Sequence, residues 1–123
     1  MTEKQVLTPG PDHPITVTPS QQHVTVAFGD RVIASTDEAL VLQESTYPPV
    51  FYLPLDAVEA DALQPTSHET YCPYKGDASY YSLTDGETVV ENAVWSYVTP
   101  YAPVAEIAGH VAFYPNQVEI TAS

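Results

Sequence analysis

Ala78-Ser79-Tyr80-Tyr81-Ser82-Leu83-Thr84-Asp85-Gly86-Glu87-Thr88-Val89-Val90-Glu91-Asn92 is the stretch whose reading decides the fold. Two strand-prone runs flank Asp85-Gly86, and Asp-Gly between such runs is among the strongest short hairpin signals. The same pattern occurs upstream. Val24, Val26 and Phe28 share one strand face, Gly29-Asp30 supplies a turn, and Arg31 to Ser35 returns. A weaker third hairpin is expected from His110 to Tyr114, turning at Pro115-Asn116 and returning over Gln117 to Thr121. Apolar segments at Ala39 to Gln43, Val50 to Leu53 and Ala93 to Val98 supply further strands.

Helix has little room, because 12 prolines and 5 glycines are spread through the chain. Asp56 to Leu63 is the best helical stretch, with Asp56 as N-cap and Glu59 three residues on. Pro103 to Ala108 has space for one turn. Residues 1–14, with Pro9, Pro11 and Pro14, read as an extended N-terminal arm, and residues 15–123 as a single β domain. The expectation is a mainly β, compact antiparallel domain of about eight or nine short strands with one or two short helices.

A length of 123 residues allows one domain, and about two-thirds of its surface is buried on folding. That supports a core without disulfides or a structural metal. The net charge is −13, from 16 acidic and 3 basic residues. Phosphate backbones need several cations on one face, so nucleic acid and anionic membranes are poor partners. A single cysteine excludes an intrachain disulfide and a multi-thiolate zinc site. The histidines show no metal-ligand spacing, so neither metal nor cofactor is expected. With no signal-peptide core and no bilayer-length apolar run, a cytoplasmic protein is expected.

Thr70-Tyr71-Cys72-Pro73-Tyr74-Lys75-Gly76 gathers the most chemistry. Pro73 suits the second position of a turn begun at Cys72, which brings Cys72 and Lys75 together. An ammonium at that distance favours thiolate, making Cys72 a candidate nucleophile. The bland alternative is a buried structural cysteine beside a lysine that pairs with a carboxylate. His68 and Cys72 sit roughly 13 Å apart on an extended strand, too far for a dyad. Trp95 and Tyr97 share one strand face, and Tyr80 and Tyr81 lie on opposite faces of a neighbour. Such aromatics line ligand pockets or simply fill a β core. Glu44, after the apolar run Ala39 to Leu42, is either a buried carboxylate or a solvated strand end.

Five segments together resemble domain-of-unknown-function family 427. They are Gly10-Pro11-Asp12-His13-Pro14-Ile15, Glu44-Ser45-Thr46-Tyr47-Pro48-Pro49-Val50, Thr70 to Gly76, Asn92 to Tyr97, and Ala112-Phe113-Tyr114-Pro115. The resemblance spans about residues 10–121 and rests on C-P-Y-K-G followed by A-x-W-x-Y. It implies an antiparallel fold similar to the β-tent folds, some of which hold zinc, bind small ligands in aromatic pockets or reduce methionine sulfoxide. Fold alone does not fix function. This chain lacks the cysteine pairs that would hold that zinc. The family also carries a nucleotidyltransferase-like label, for which this chain offers neither an acidic pair on a rigid edge nor phosphate-holding cations. Many members carry Arg where this chain has Leu55.

The leading expectation is a small-molecule-binding domain, potentially enzymatic. Cys72 would be nucleophile or thiol contact, Lys75 the cation beside it, and Glu44 the general acid or base. Thr70, Tyr74, Tyr80, Trp95 and Tyr97 would form the wall. The competing expectation is a non-catalytic interaction or assembly module. A homodimer is compatible with both.

Overall fold

The computed structural model describes residues 5–123. Ten strands are present: β1 (Ile15–Pro19), β2 (Val24–Phe28), β3 (Arg31–Thr36), β4 (Leu40–Glu44), β5 (Val50–Pro54), β6 (Leu63–Cys72), β7 (Gly76–Thr84), β8 (Val89–Ser96), β9 (His110–Phe113) and β10 (Glu119–Ala122). They form a seven-stranded sheet in the order β1-β4-β5-β9-β8-β7-β6 and a three-stranded sheet in the order β10-β2-β3. Every strand pair in both sheets is antiparallel. The fold is mainly β, as the alternating pattern predicts.

The β2–β3 hairpin forms where expected, with Phe28 paired to Arg31 across Gly29-Asp30. The second hairpin forms with a longer turn. Thr84 pairs with Val89, so Glu87 and Thr88 belong to the turn rather than to the strand. The Asp85 carboxylate explains this, accepting from the backbone N–H groups of Glu87 at 2.9 Å and Thr88 at 2.7 Å. The third expected hairpin does not form. Both edges of β9 are taken, by β5 and β8, so β10 crosses to the small sheet and pairs with β2.

The helical expectations need correction too. Asp56 to Leu63 is broken into two short 3₁₀ turns, Leu55–Ala57 and Ala60–Ala62, and no side chain caps either. Val58 interrupts them because it is extended, buried and bridged to Ala34 of β3. The turn expected at Pro103 is a 3₁₀ segment at Ala102–Ile107, kinked at Val104. Of the arm expected over residues 1–14, residues 1–4 lie outside the described residues. The remainder lies along the domain: the Leu7 N–H donates to the Pro73 carbonyl, and Gly10 and His13 exchange backbone hydrogen bonds.

Strand alternation divides the buried side chains into two cores. Leu53, Leu83, Val94, Val111 and Phe113 on one face of the large sheet pack with Val24, Val26 and Ile33 of the small one. The opposite face carries Leu42, Tyr52, Ala78, Tyr80 and Ala112, with Tyr97, Val104 and Ile107. This second face curls on itself. Strands β4 and β7 stand four places apart in the sheet order, which in a flat sheet is roughly 19 Å. Yet the carboxylate of Glu44 on β4 lies 2.6 Å from Lys75 Nζ in the β6–β7 turn. The large sheet therefore wraps into a partial barrel, and its concave face holds the candidate site.

Candidate functional site

The Cys72 to Gly76 turn is built as its proline dictates. The Lys75 N–H donates to the Cys72 carbonyl at 3.2 Å, and Cys72 pairs with Gly76 across the turn. Gly76 has φ +111°, a conformation that other residues adopt at a cost, and the carbonyl of Thr99 passes 3.5 Å from where a Cβ would stand. The Tyr101 N–H then donates to the Lys75 carbonyl at 3.0 Å, fixing the loop after β8 against this turn.

From this turn the Lys75 side chain reaches Glu44 rather than Cys72. Glu44 Oε1 accepts from Lys75 Nζ at 2.6 Å, and Glu44 Oε2 lies 2.8 Å from His13 Nε2. All three side chains are largely buried, with exposures of 13% for Lys75, 15% for Glu44 and 24% for His13. Burial alone would raise the Glu44 carboxyl, but the hydrogen bonds from Lys75 and His13 outweigh it and hold it below its ordinary range. The His13 ring stacks on Tyr74 at 4.2 Å between centroids and 10° between planes, which fixes the imidazole edge-on to the carboxylate. Lys75 Nζ also stands 5.7 Å from the centre of the Tyr97 ring.

Beside this triad opens a cavity of about 200 Å³, lined by Leu42, Glu44, Tyr47, Pro48, Val50, Tyr52, Lys75, Tyr80, Trp95, Tyr97 and Tyr114. Its aromatic groups are tied together. Trp95 Nε1 donates to Tyr52 Oη at 3.1 Å, and the Trp95 and Tyr114 rings meet at 4.7 Å. Thr70 Oγ1 and Tyr80 Oη share a hydrogen bond of 2.9 Å. Burial pushes the Tyr52 phenol up to about 12 and raises that of Tyr97 further, so both are neutral O–H donors at physiological pH.

Five of the eight residues singled out in the sequence line this cavity: Glu44, Lys75, Tyr80, Trp95 and Tyr97. Thr70 and Tyr74 stand one layer behind, the first bonded to Tyr80 and the second stacked on His13. Cys72 is half-buried against the same core and does not line the cavity. Sequence reasoning passed over Tyr52, Tyr47, Tyr114 and His13. Each falls in or beside a quoted motif, but the pairing of β5, β9 and β8 together with the curl of the sheet brings them to Glu44 and Trp95.

Two other constellations stand apart from the cavity. His23 Nδ1 lies 2.6 Å from Asp37 Oδ1, and His23 Nε2 lies 2.6 Å from Ser35 Oγ, an arrangement of Ser-His-Asp type. It sits on the solvent side of β2 and β3, with Asp37 85% exposed, and none of its residues lines a described cavity. A shallower cleft of about 480 Å³ runs between Thr66–Glu69 and Ser82, Glu91 and Asn92. It arises because β6 and β8 both bulge beside β7. Its polar groups satisfy one another: Thr66 Oγ1 donates to Asn92 Oδ1 at 2.7 Å, and the Asn92 N–H donates to Ser82 Oγ.

A family model described as a domain of unknown function, DUF427, matches residues 16–123. The chain belongs to that family. The match covers the strands of both sheets and agrees with the motif resemblance drawn from the sequence. No curated protein matches the chain. The short label of the DUF427 model names nucleotidyl transfer, while its description assigns no activity. Among the described residues no helix is long and apolar enough to cross a membrane.

Proposed function

We propose that this DUF427 domain binds a small molecule in the aromatic cavity beside Glu44 and Lys75. One observation carries the reading. Tyr97 is only 7% exposed and lines the cavity, yet its hydroxyl has no hydrogen-bond partner among the described residues. No side-chain nitrogen or oxygen of the described residues is fully buried without a partner, so this hydroxyl opens on accessible space in the cavity, where a ligand or ordered water can bond it. The wall around it supports the same reading, since its rings are held by one another rather than free to collapse inward.

Binding is favoured over thiol chemistry, because the one ammonium near Cys72 among the described residues is engaged by Glu44 and the thiol lies outside the cavity. It is also favoured over nucleotidyl transfer, for which a triphosphate would need the charge that Lys75 already gives to Glu44. An assembly module is the less supported alternative. Of the large exposed apolar side chains, Tyr47 and Tyr114 belong to the cavity wall, while Val6, Val32, Leu55, Val89 and Val98 come from separate segments of the chain.

Trp95 is the only tryptophan of the chain, so its fluorescence reports on the cavity. A screen of single-ring fragments is expected to give a saturable change in Trp95 emission with the native protein and none with Val50→Phe, which fills the cavity. A saturable response that persists in Val50→Phe, or no response to any fragment, would overturn the proposal.

A further inference from the structure

We infer that the cavity takes an uncharged single aromatic ring carrying a hydrogen-bond-accepting oxygen, a carboxamide or another carbonyl group. The inference rests on reading the cavity as a ligand site and adds the chemical class of the ligand.

Volume sets the size. An apolar cavity of about 150 Å³ holds one benzene ring, so about 200 Å³ leaves room for a substituent of two or three heavy atoms. Shape sets the planarity, because Trp95 and Tyr114 present ring surfaces and Tyr52 stands edge-on to Trp95 at 89°.

Hydrogen bonding sets the polarity of the substituent. Each oxygen of Glu44 already has a partner, Lys75 on one and His13 on the other. Tyr52 Oη already accepts from Trp95 Nε1, which leaves its own proton to give. Tyr97 Oη has no partner among the described residues. The two buried phenols of the wall, Tyr52 and Tyr97, therefore each offer a donor, and the Lys75 ammonium keeps N–H groups beyond the one given to Glu44, so the wall is richer in free donors than in free acceptors. Two donors call for an acceptor oxygen with two lone pairs.

Charge sets neutrality. A cationic ligand would displace or confront the Lys75 ammonium, which already stands over the Tyr97 ring. An anionic ligand would meet the Glu44 carboxylate and a lysine whose charge that carboxylate neutralises, on a chain of net charge −13.

The test is calorimetric titration of the full chain at pH 7 with four rings of similar size: benzamide, benzylammonium, benzoate and toluene. The expected result is tightest binding of benzamide, weakened about tenfold by Tyr97→Phe and also weakened by Tyr52→Phe. Tyr97→Phe removes a hydroxyl that bonds to nothing in the described protein, so an unchanged melting temperature checks its fold. A charged ring or toluene binding as tightly as benzamide would overturn the ligand class and leave the cavity as a binding site. So would benzamide binding that neither variant weakens. Absence of binding by all four rings would overturn both.

Discussion

At the scale of single residues, Glu44 joins the elements of the candidate site. A carboxylate at the end of a strand is ordinarily a solvated group, and here it is a largely buried anion held between an ammonium and an imidazole. The following residue, Ser45, has φ +49°, rare outside glycine, and its N–H donates to the Pro14 carbonyl at 2.7 Å. That contact ties the His13-bearing segment to the end of β4. Glu44→Gln leaves Lys75 largely buried without its counter-ion. A cost of about 2 kcal/mol is expected, between that of a surface pair and that of a fully buried one. Because the folded-state carboxyl is held below its ordinary value of about 4.3, the stabilisation is fully present above that pH. It disappears as pH falls through the lower folded value. Urea denaturation at several pH values should therefore show the native protein and Glu44→Gln converging in stability as pH drops below about 4. A gap that stays constant or widens on acidification would contradict this role for Glu44.

At the scale of elements the β6–β7 turn positions the site. Its geometry was legible in the sequence, since Pro73 and Gly76 mark a tight reversal and Lys75 lies within it. The partner of Lys75 was not legible. Spacing within the turn suggested Cys72, whereas the actual contact is 31 residues away and depends on the sheet curling. The hairpins divide in the same way. Pairing of β2 with β3 follows from local alternation and a two-residue turn. The destination of β10 does not, because it is decided by which strand edges remain open. Gly76 offers a test at this scale. Gly76→Ala forces a strained φ, its Cβ only reaching ordinary contact with the Thr99 carbonyl, and should cost about 2 kcal/mol. Gly10→Ala meets nothing within 4 Å and should cost less than about 0.5 kcal/mol. Equal costs in chemical denaturation would show that the turn is not under the constraint described.

At the scale of the whole molecule, one large sheet uses its two faces for two purposes. One face is closed by the small sheet into a continuous apolar core. The other wraps around tyrosines, a tryptophan and an ion-paired carboxylate, and leaves a cavity. Composition made the mainly β class legible, through short alternating runs between prolines. The aromatic wall was partly legible, because Trp95 and Tyr97 share a strand face. Tyr52, Tyr47 and Tyr114 were not, since their meeting depends on strand order and curvature rather than on local pattern. The concave face is therefore the surface proposed to receive ligands. The most direct measurement is a ¹H–¹⁵N chemical-shift map of the native chain titrated with benzamide. The predicted result is saturable shifts of the Trp95 indole N–H and of the backbone amides of Tyr52, Lys75 and Tyr97, with Thr66 to Glu69 unmoved. Largest shifts in the Thr66 to Glu69 cleft, or shifts scattered over the surface without saturation, would contradict it.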